Sequence, residues 1–579
     1  MAEAFPSALV GPSSKERKYD RQLRLWAASG QQALEESRVL LVNSDEPWSK
    51  HNTGVSGVVG VETLKNLVLP GIGGFTIVDP ALVTEPDLGV NFFLEEESLG
   101  KSRAEETCRL LRELNPDVDG SFYTKVTSFN LKLLYDVSEL TKTEHKSITE
   151  LLKEPDFLPQ HKLVLVSGPV KRPSLEAICK AAKAFGIPVI YTRSVGFYST
   201  FSIQLPAAFP IVETHPDPES TQDLRLLNPW PELAAAGASI RNLDSLDDHQ
   251  HGHVPYILLL LHHIEQWKEA HNGQVPSNYK EKSEFREMVR SSARTSNPEG
   301  GEENYDEAVA AVLKSLNPFS LRSSLREIFE MEECKHPAPD SANFWIIAAA
   351  IREYYQRHSV LPLPGSLPDM KAQSADYVSL QNIYKSKARK DIEEVTKIVR
   401  SLEAQLGPRP APASDKDIEV FCKNAAHIKV IHGRDIPIVD GEASILKAIR
   451  NNINIPDSLV PTFLAFQVLD DIITDIQAGK KSEEALDDEQ AWDSAIDRIL
   501  GALKSEDPSV IEEEDARERI QQAAQELRRT QGGELHNISS LTGGLVAQEA
   551  LKVITRQYVP LDNTCIFDGV RSRSEMYKL

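Results

Sequence analysis

Three glycines near the first apolar strand are the clearest candidates for a chemical role. The run RVLLVN at 38–43 predicts a strand, and Gly54, Gly57 and Gly60 follow it. Nucleotide-binding α/β folds need glycines directly after such a strand, because a tight turn lets the N–H groups of the next helix face phosphates. Here the glycine spacing is G-x-x-G-x-x-G, and the bulky, acidic segment SDEPWSKHNT separates it from the strand. We expect a degenerate loop that binds ATP poorly.

Two polar residues lie near this loop. Asp79 follows the predicted strand FTIV at 75–78, where such folds carry a ribose-binding acid. An equally simple interpretation is a turn residue that ends the strand before Pro80. His51, the nearest candidate for acid–base catalysis, lies in the irregular loop, so we expect it to be solvated.

The five cysteines form no recognisable metal or redox site. They are Cys108, Cys179, Cys334, Cys422 and Cys565, and no two are close enough for a C-x-x-C pair. Cys179 and Cys422 fall on predicted helices with apolar neighbours, so we interpret them as small buried hydrophobes. The sequence therefore predicts no metal ligands, and its sparse, odd cysteine count is typical of a reducing compartment.

The net charge and the apolar content of the sequence exclude some classes of binding partner. The 579 residues carry a formal net charge of -22, and a hydrophobic content of 41% excludes global disorder. Such acidity repels phosphate backbones and anionic lipids, so neither nucleic acid nor membranes are expected as partners. The polar N-terminus lacks the apolar core of a signal peptide, and no stretch reaches the ~18 apolar residues of a membrane span. We expect a soluble protein of the cytoplasm and nucleus.

The elements that would position these residues alternate between strands and helices. Apolar strands are predicted over 38–43, 75–78 and 163–166 and from Val189 onward, with helices between them. Strands that are apolar on both faces indicate a parallel sheet covered by helices, which is the Rossmann-like α/β arrangement.

The pattern changes twice along the chain and so predicts four segments. Helical periodicity dominates from about residue 217, and α/β character returns near the C-terminus. We predict a disordered N-terminus at 1–13, the first part of an α/β domain at 14–215, a helical insertion at 216–529 and the completing part of the α/β domain at 530–579.

Several motifs, in order, carry a resemblance to a known family. YDRQLRLW at 19–26, ETLKNLVLPGIG at 62–73 and NFFL at 91–94 resemble the N-terminal part of the ThiF/MoeB-like activating-enzyme superfamily. HNGQVP at 271–276 and LPDM at 367–370 resemble the insertion of one branch, the regulatory subunits of heterodimeric neddylation-activating enzymes. The resemblance implies a Rossmann-like, ThiF-type adenylation fold split by a large, mainly helical insertion.

The chain departs from active members of that superfamily at three places. The arginine that contacts ATP phosphates in those members falls at Asn91, and the following glutamine at Phe92. The aspartate used for Mg²⁺·ATP is absent, because the strand at 163–166 runs into Ser167 and Gly168. The context of the catalytic cysteine is missing as well. The resemblance therefore implies a non-catalytic half that binds no cofactor itself, with ATP and Mg²⁺ held by a partner subunit.

One functional residue of the family is retained. The arginine of the Tyr-Asp-Arg-Gln signature, Arg21 here, contacts in that family the ATP bound in the partner, which is the chemistry of an arginine finger. From sequence alone, Arg21 is equally a helix-surface arginine paired with Asp20 or another acid. Lys101, at the start of a helix, and Asp79 are weaker candidates for contact with nucleotide.

The resemblance implies a heterodimer with a catalytic subunit. That partner would adenylate the C-terminal glycine of a ubiquitin-like modifier and accept it as a thioester on its own cysteine. This chain would complete the ATP site with Arg21 and help to dock the modifier, and the conjugating enzyme is a further expected partner. We also hypothesise that the acidic surface steers a basic face of the modifier.

Other functions fit parts of the sequence. A self-sufficient ThiF/MoeB-like enzyme acting on a sulfur-carrier protein needs an intact glycine loop and the missing aspartate. The small subunit of the SUMO-activating enzyme shares the first part of the chain but lacks the long helical middle. A NAD-dependent oxidoreductase needs G-x-G-x-x-G and a catalytic acid or base. A scaffold for signalling proteins stays open, as do the dimer-interface residues and the order of 44–58.

Overall fold

A computed structural model of the chain divides into two compact units. Unit 1 comprises Met1–Phe209 and Ile431–Leu579, and unit 2 comprises Pro210–Val430. The structure describes residues 13–45, 57–124, 147–217, 223–240, 242–296, 300–409, 411–439, 443–504 and 513–579.

An eight-stranded sheet lies at the centre of unit 1. Its strands are β1 (Arg38–Val42), β2 (Gly74–Val78), β3 (Asp119–Tyr123), β4 (Leu163–Ser167), β5 (Val189–Val195), β6 (Tyr198–Gln204), β9 (Thr564–Asp568) and β10 (Arg573–Tyr577); β7 (Phe209–Val212) and β8 (Ile428–Ile431) form a separate two-stranded sheet. The strand order is β10-β9-β6-β5-β4-β1-β2-β3. The strands from β3 to β5 in this order are parallel, and β6, β9 and β10 are antiparallel to their neighbours.

Helices supply the rest of the regular structure. They are α1 (Ser14–Lys18), α2 (Asp20–Glu35), α3 (Val58–Val68), α4 (Glu85–Val90), α5 (Arg103–Leu114), α6 (Ile148–Leu151), α7 (Arg172–Ala184), α8 (Pro231–Ser239), α9 (Asp248–His251), α10 (Tyr256–Ala270), α11 (Tyr279–Ser291), α12 (Glu303–Ser315), α13 (Ser323–Glu330), α14 (Glu332–Lys335), α15 (Asn343–His358), α16 (Ser374–Leu406), α17 (Asp415–Lys423), α18 (Ala443–Ile453), α19 (Val460–Gln477), α20 (Glu489–Lys504), α21 (Glu513–Arg529) and α22 (His536–Thr555), with 3-10 turns at Glu96–Ser98, Leu243–Ser245, Ala425–His427 and Glu483–Leu486. Within the described ranges, no helix is both long and apolar enough to cross a membrane.

The sheet confirms the predicted Rossmann-like α/β fold. β2, β4 and β5 are buried along their whole length, which requires cover on both faces. The C-terminal strands β9 and β10 extend the same sheet next to β6, so the chain returns to its first domain at its end. Of the predicted disordered N-terminus at 1–13, residues 1–12 lie outside the described part, and Ser13 caps α1 together with Glu16.

The small residues of α22 let it pack closely on α3. A side chain at Gly543 would put its Cβ 2.8 Å from the Cβ of Glu62, and the Ser540 hydroxyl donates to the Glu62 carboxylate at 3.1 Å. The neighbour Gly544 is exposed, with no atom within 4 Å of such a Cβ. The small residues Gly543, Gly544 and Ala547 predict a close approach of this helix to a sheet. The helix does contact the sheet: Oγ1 of Thr542 lies 2.6 Å from the hydroxyl oxygen of Ser199 on β6, and the hydroxyl of Ser539 donates to that of Ser194 on β5 at 3.0 Å. Gly543 itself faces α3.

The predicted helical insertion at 216–529 is divided between the two units. Helices α18 to α21 belong to unit 1, where their apolar faces share one buried core with Val195, Ile566, Tyr577 and Leu579. These helices therefore cover strands β5, β9 and β10. Their affiliation follows from this core and not from their place in the sequence.

Unit 2 is helical and has its own core. A buried cluster draws every member from 224–388 and is built around large side chains such as Tyr256, Phe285, Tyr305 and Tyr384. Inside it, the imidazole of His251 bridges the Glu302 carboxylate at 2.8 Å and the Tyr305 hydroxyl at 3.0 Å. This network satisfies polar groups that are otherwise costly to bury.

Candidate functional site

The turn after β1 is where a nucleotide would bind in this fold. Residues 46–56, including Gly54 and the predicted solvated His51, lie outside the described part. Gly57 has a φ of +59° and is the N-cap of α3. Gly60 allows close packing, because a Cβ there would lie 2.8 Å from side-chain atoms of Leu41 on β1 and Ser167 on β4. Gly60 thus lets α3 pack against the sheet, and Gly57 provides the left-handed residue at which the helix begins.

A carboxylate of the chain occupies the N-terminus of α3. The N–H groups of Val58 and Val59 donate to Oε1 and Oε2 of Glu534 at 3.0 and 3.1 Å. Glu534 is buried, and its Oε2 also accepts from the Ser539 hydroxyl at 2.6 Å. Burial raises the pKa of Glu534, and the hydrogen bonds from Ser539, Val59 and Val58 oppose that rise.

Asp79, the predicted ribose-binding acid, is fully engaged by other groups. Its oxygens accept from Nε and Nη2 of Arg103 at 2.7 and 3.2 Å, from the Asn43 amide at 2.8 Å and from the Ala81 N–H at 3.0 Å. Arg103 also binds Asp87 at 3.1 Å, and all three charged groups are buried. Burial lowers the pKa of Arg103, but the charges of Asp79 and Asp87 outweigh it and raise that pKa overall. The bond to Ala81 is that of a turn residue.

The residues expected at the positions of the phosphate arginine and the metal-binding acid carry no charge. Asn91 is buried, and its Oδ1 accepts from the Phe93 N–H at 3.0 Å. Phe92 is exposed and stacks on the His536 ring with centroids 3.7 Å apart. At the end of β4, Ser167 is buried and carries a hydroxyl where a carboxylate would be needed.

Arg21 lies exposed near the start of α2. Tyr19, two residues earlier, is buried, and Asn115 donates to its hydroxyl at 3.1 Å. Asp20, the acid considered as a partner of Arg21, pairs with Arg24 instead, at 2.9 Å. The structure shows no hydrogen bond or ion pair of Arg21 to any residue that it describes. Its guanidinium therefore faces solvent with its donors available.

Lys101, the weaker candidate, precedes the Ser102 N-cap of α5. Its ammonium lies 3.7 Å from the Glu106 carboxylate, and its side chain is 40% exposed. Burial raises the pKa of Glu106, but hydrogen bonds from Arg109 and Ser98 lower it overall, so Lys101 faces an ionised acid. No described contact connects Lys101 with the N-terminus of α3.

The cysteines are poor nucleophiles. Burial raises the pKa of Cys108 and Cys565 to about 11 and that of Cys179 and Cys334 to about 12, and it raises the pKa of Cys422 further. Since the thiolate is the reactive form, these thiols stay protonated and inert near neutral pH.

The described residues do not fit a nucleotide. The α3 N-terminus is filled by Glu534, and Asp79 is held by Arg103, so both positions that would bind phosphate and ribose are occupied by side chains of this chain. Sequence inspection missed Glu534 and Arg103, because their partners are 475 and 24 residues away. A cleft of about 1010 Å³ in unit 2 contains none of the predicted site residues.

A family model describes this combination of fold and motifs. The ThiF family model matches residues 19–579. The chain belongs to the ThiF family. This assignment covers both the α/β parts of unit 1 and the helical sequence between them.

Within the ThiF family, similar relatives match along almost their whole length. The chain is 34% identical over 577 residues to the "NEDD8-activating enzyme E1 regulatory subunit" of Xenopus laevis, covering 98% of this chain and 99% of that protein. It is 32% identical to the protein of the same name in Danio rerio, with coverage of 98% and 99%. The "NEDD8-activating enzyme E1 regulatory subunit AXL" of Arabidopsis thaliana is 32% identical, with coverage of 97% and 99%.

Solved structures give a much weaker match. Escherichia coli MccB with ATP matches 37% of this chain and 56% of its own at 17% identity, with a TM-score of 0.24. This similarity is too low to bear on function.

Proposed function

We propose that this chain is the regulatory subunit of a NEDD8-activating E1 heterodimer. The observation that carries the proposal is the similarity, over nearly the full length of each protein, to regulatory subunits from a frog, a fish and a plant. The engagement of Glu534 and Asp79 by groups of the chain itself supports the non-catalytic half of the proposal. This subunit then binds no nucleotide or metal of its own.

Catalysis belongs to the partner in this proposal. The catalytic subunit binds Mg²⁺·ATP, adenylates the C-terminal glycine of the modifier NEDD8 and accepts it as a thioester on its own cysteine. The raised thiol pKa values of all five cysteines here support placing that nucleophile on the partner.

Arg21 is the residue through which this chain acts on the reaction. An arginine stabilises phosphate charge best when its planar donors are not already used by an internal acid. Arg21 meets that condition, whereas Arg24 is paired with Asp20. Arg21 therefore donates to the phosphates of the ATP bound in the catalytic subunit and stabilises the charge that develops there.

An apolar surface of unit 1 offers a place for the catalytic subunit. Leu541 and Leu545 are exposed one turn apart on the same side of α22. Exposed large apolar side chains that cluster in this way are typical of protein interfaces. We assign this face to the catalytic subunit.

The decisive experiment is ATP–pyrophosphate exchange with NEDD8. This chain alone, the catalytic subunit alone and their mixture are compared, with Arg21→Ala and Arg24→Ala as variants in the mixture. We expect exchange in the mixture only. Arg21→Ala removes a charge-assisted contact worth about 1.5–3 kcal/mol. The mixture with this variant should therefore exchange about 10- to 100-fold more slowly than the mixture with the wild type.

Arg24→Ala is the matched control, because Arg24 is exposed on the same helix and is already paired. Gel filtration of each mixture checks that the heterodimer still forms. Equal rates for the two variants would contradict the role of Arg21. Exchange by this chain alone would replace the proposal with a self-sufficient adenylating enzyme.

A further inference from the structure

The helix that follows the first strand is capped by a carboxylate from the far end of the chain. α3 has eleven residues, and its N-cap, Gly57, has no side chain to bind the first N–H groups. Glu534 takes that role with one oxygen on each of the Val58 and Val59 N–H groups, at 3.0 and 3.1 Å. Two parallel N–H donors at a helix N-terminus are the same geometry that binds a phosphate group.

Glu534 is built into this position. It is 5% exposed, and the Ser539 hydroxyl donates to its Oε2 at 2.6 Å. The N–H of Gly196, just after β5, donates to the carbonyl oxygen of Gly533 at 2.9 Å, which fixes the backbone beside it. No lysine, arginine or histidine forms an ion pair with Glu534 among the described residues; N–H and O–H groups contact it directly, and the charge of Arg103 acts on it from a greater distance.

A carboxylate and a phosphate cannot share these two donors. They compete for the same two N–H groups and for the same buried space. We propose that Glu534 is an internal substitute for a nucleotide phosphate. It holds the segment before α22 on the N-terminus of α3 and thereby closes the anion site there.

The inference goes beyond the proposed function and can be tested on the full chain alone. Glu534→Ala should empty the two donors and leave a buried space that accepts an anion. Thermal unfolding is measured in inorganic phosphate and in chloride at equal pH and ionic strength. We expect Glu534→Ala to melt several degrees lower than the wild type in chloride and to recover part of that loss in phosphate, saturating with concentration.

Two controls separate a filled site from general salt stabilisation. Glu534→Gln keeps the space filled and should show no more response to phosphate than the wild type. Glu549→Ala removes a nearly buried carboxylate on α22, which accepts from one backbone N–H, that of Leu561, at 2.8 Å and pairs with Lys552 at 2.6 Å. It should lose stability without a specific response to phosphate, because no pair of helix donors is exposed.

The outcomes decide the matter either way. A phosphate response confined to Glu534→Ala supports the proposal. No response in that variant, or an equal response in the wild type or in Glu549→Ala, overturns it. If Glu534→Ala does not fold in chloride, the readout becomes its refolding yield, and failure to recover in phosphate overturns the proposal as well. Since the assay contains neither NEDD8 nor a partner, its failure leaves the proposed function to be judged by the exchange assay.

Discussion

Three charged side chains of unit 1 differ in whether their hydrogen-bonding capacity is already used. The carboxylates of Asp79 and Glu534 accept four and three hydrogen bonds from this chain. Arg21 is exposed and donates to none of the described residues. The presence of a side chain that could bind nucleotide is thus not evidence of binding until its hydrogen bonds within the chain are known. By this criterion Arg21 is the candidate that stays available.

Buried neutral histidines should make the protein sensitive to acid. Burial lowers the pKa of His161 and of His263 to about 4, below the ordinary value of 6.5. The unfolded chain therefore binds more protons between pH 6.5 and about 4, so stability is lost as the pH falls through this range. Each residue should contribute about 3 kcal/mol of that loss.

His263→Gln tests this expectation in unit 2. Nδ1–H of the neutral ring donates to the Leu259 carbonyl at 2.8 Å, and Nε2 accepts from the Ser292 hydroxyl at 3.0 Å. A glutamine retains polarity at this position without titrating. Thermal midpoints between pH 7 and pH 4 should fall less steeply in the variant than in the wild type. The exposed His336→Gln serves as the control. Parallel curves for His263→Gln and the wild type would contradict the assignment.

Sequence alone predicts the identity of charged candidates but not their partners. Asp79 is correctly located at the end of a strand, because an apolar run followed by Asp-Pro is a local pattern. Its ion pair with Arg103 and the hydrogen bonds of Glu534 to α3 depend on how the strands and helices pack together in three dimensions. Those contacts join distant parts of the chain, so no local pattern encodes them.

At the scale of elements, the contact between α22 and α3 distinguishes two adjacent glycines. Gly543 faces α3 at a distance that leaves no room for a side chain, whereas Gly544 faces solvent. Gly543→Ala should therefore destabilise unit 1 by about 1–3 kcal/mol through overpacking. Gly544→Ala should be neutral or stabilise by roughly 0.5–1 kcal/mol, because alanine favours the helix. Thermal midpoints of the two variants give the comparison, and equal shifts would show that the helices are not in close contact.

Strands with uninterrupted apolar runs are the elements that sequence predicts best. β1, β2, β4 and β5 are buried, and each has such a run. The edge strand β3 has the sequence DGSFY and is partly exposed, so its pattern resembles a loop. An edge strand pairs on one side only and needs less apolar burial, which is why periodicity does not reveal it.

At the scale of the whole molecule, helical sequence does not tell which core a helix enters. The segments 231–423 and 443–529 have similar amphipathic patterns, and the sequence predicts a single insertion that contains both. The structure assigns the first to unit 2 and the second to unit 1. The difference lies in long-range packing, since α18 to α21 share a core with Ile566 and Tyr577 of the C-terminal strands.

Two fragments with different boundaries test this division. A fragment of 210–430 contains every member of the buried cluster at 224–388 and should unfold in one cooperative thermal transition as a monomer. A fragment of 216–529 also carries α18 to α21 without the strands β5, β9 and β10 that share their core, so it should expose an apolar face. We expect the longer fragment to bind the dye ANS and to self-associate in gel filtration. The opposite result would be a monomeric longer fragment that does not bind ANS and a shorter fragment that is unfolded. That result would favour the boundaries expected from the sequence, because it would mean that α18 to α21 stabilise unit 2.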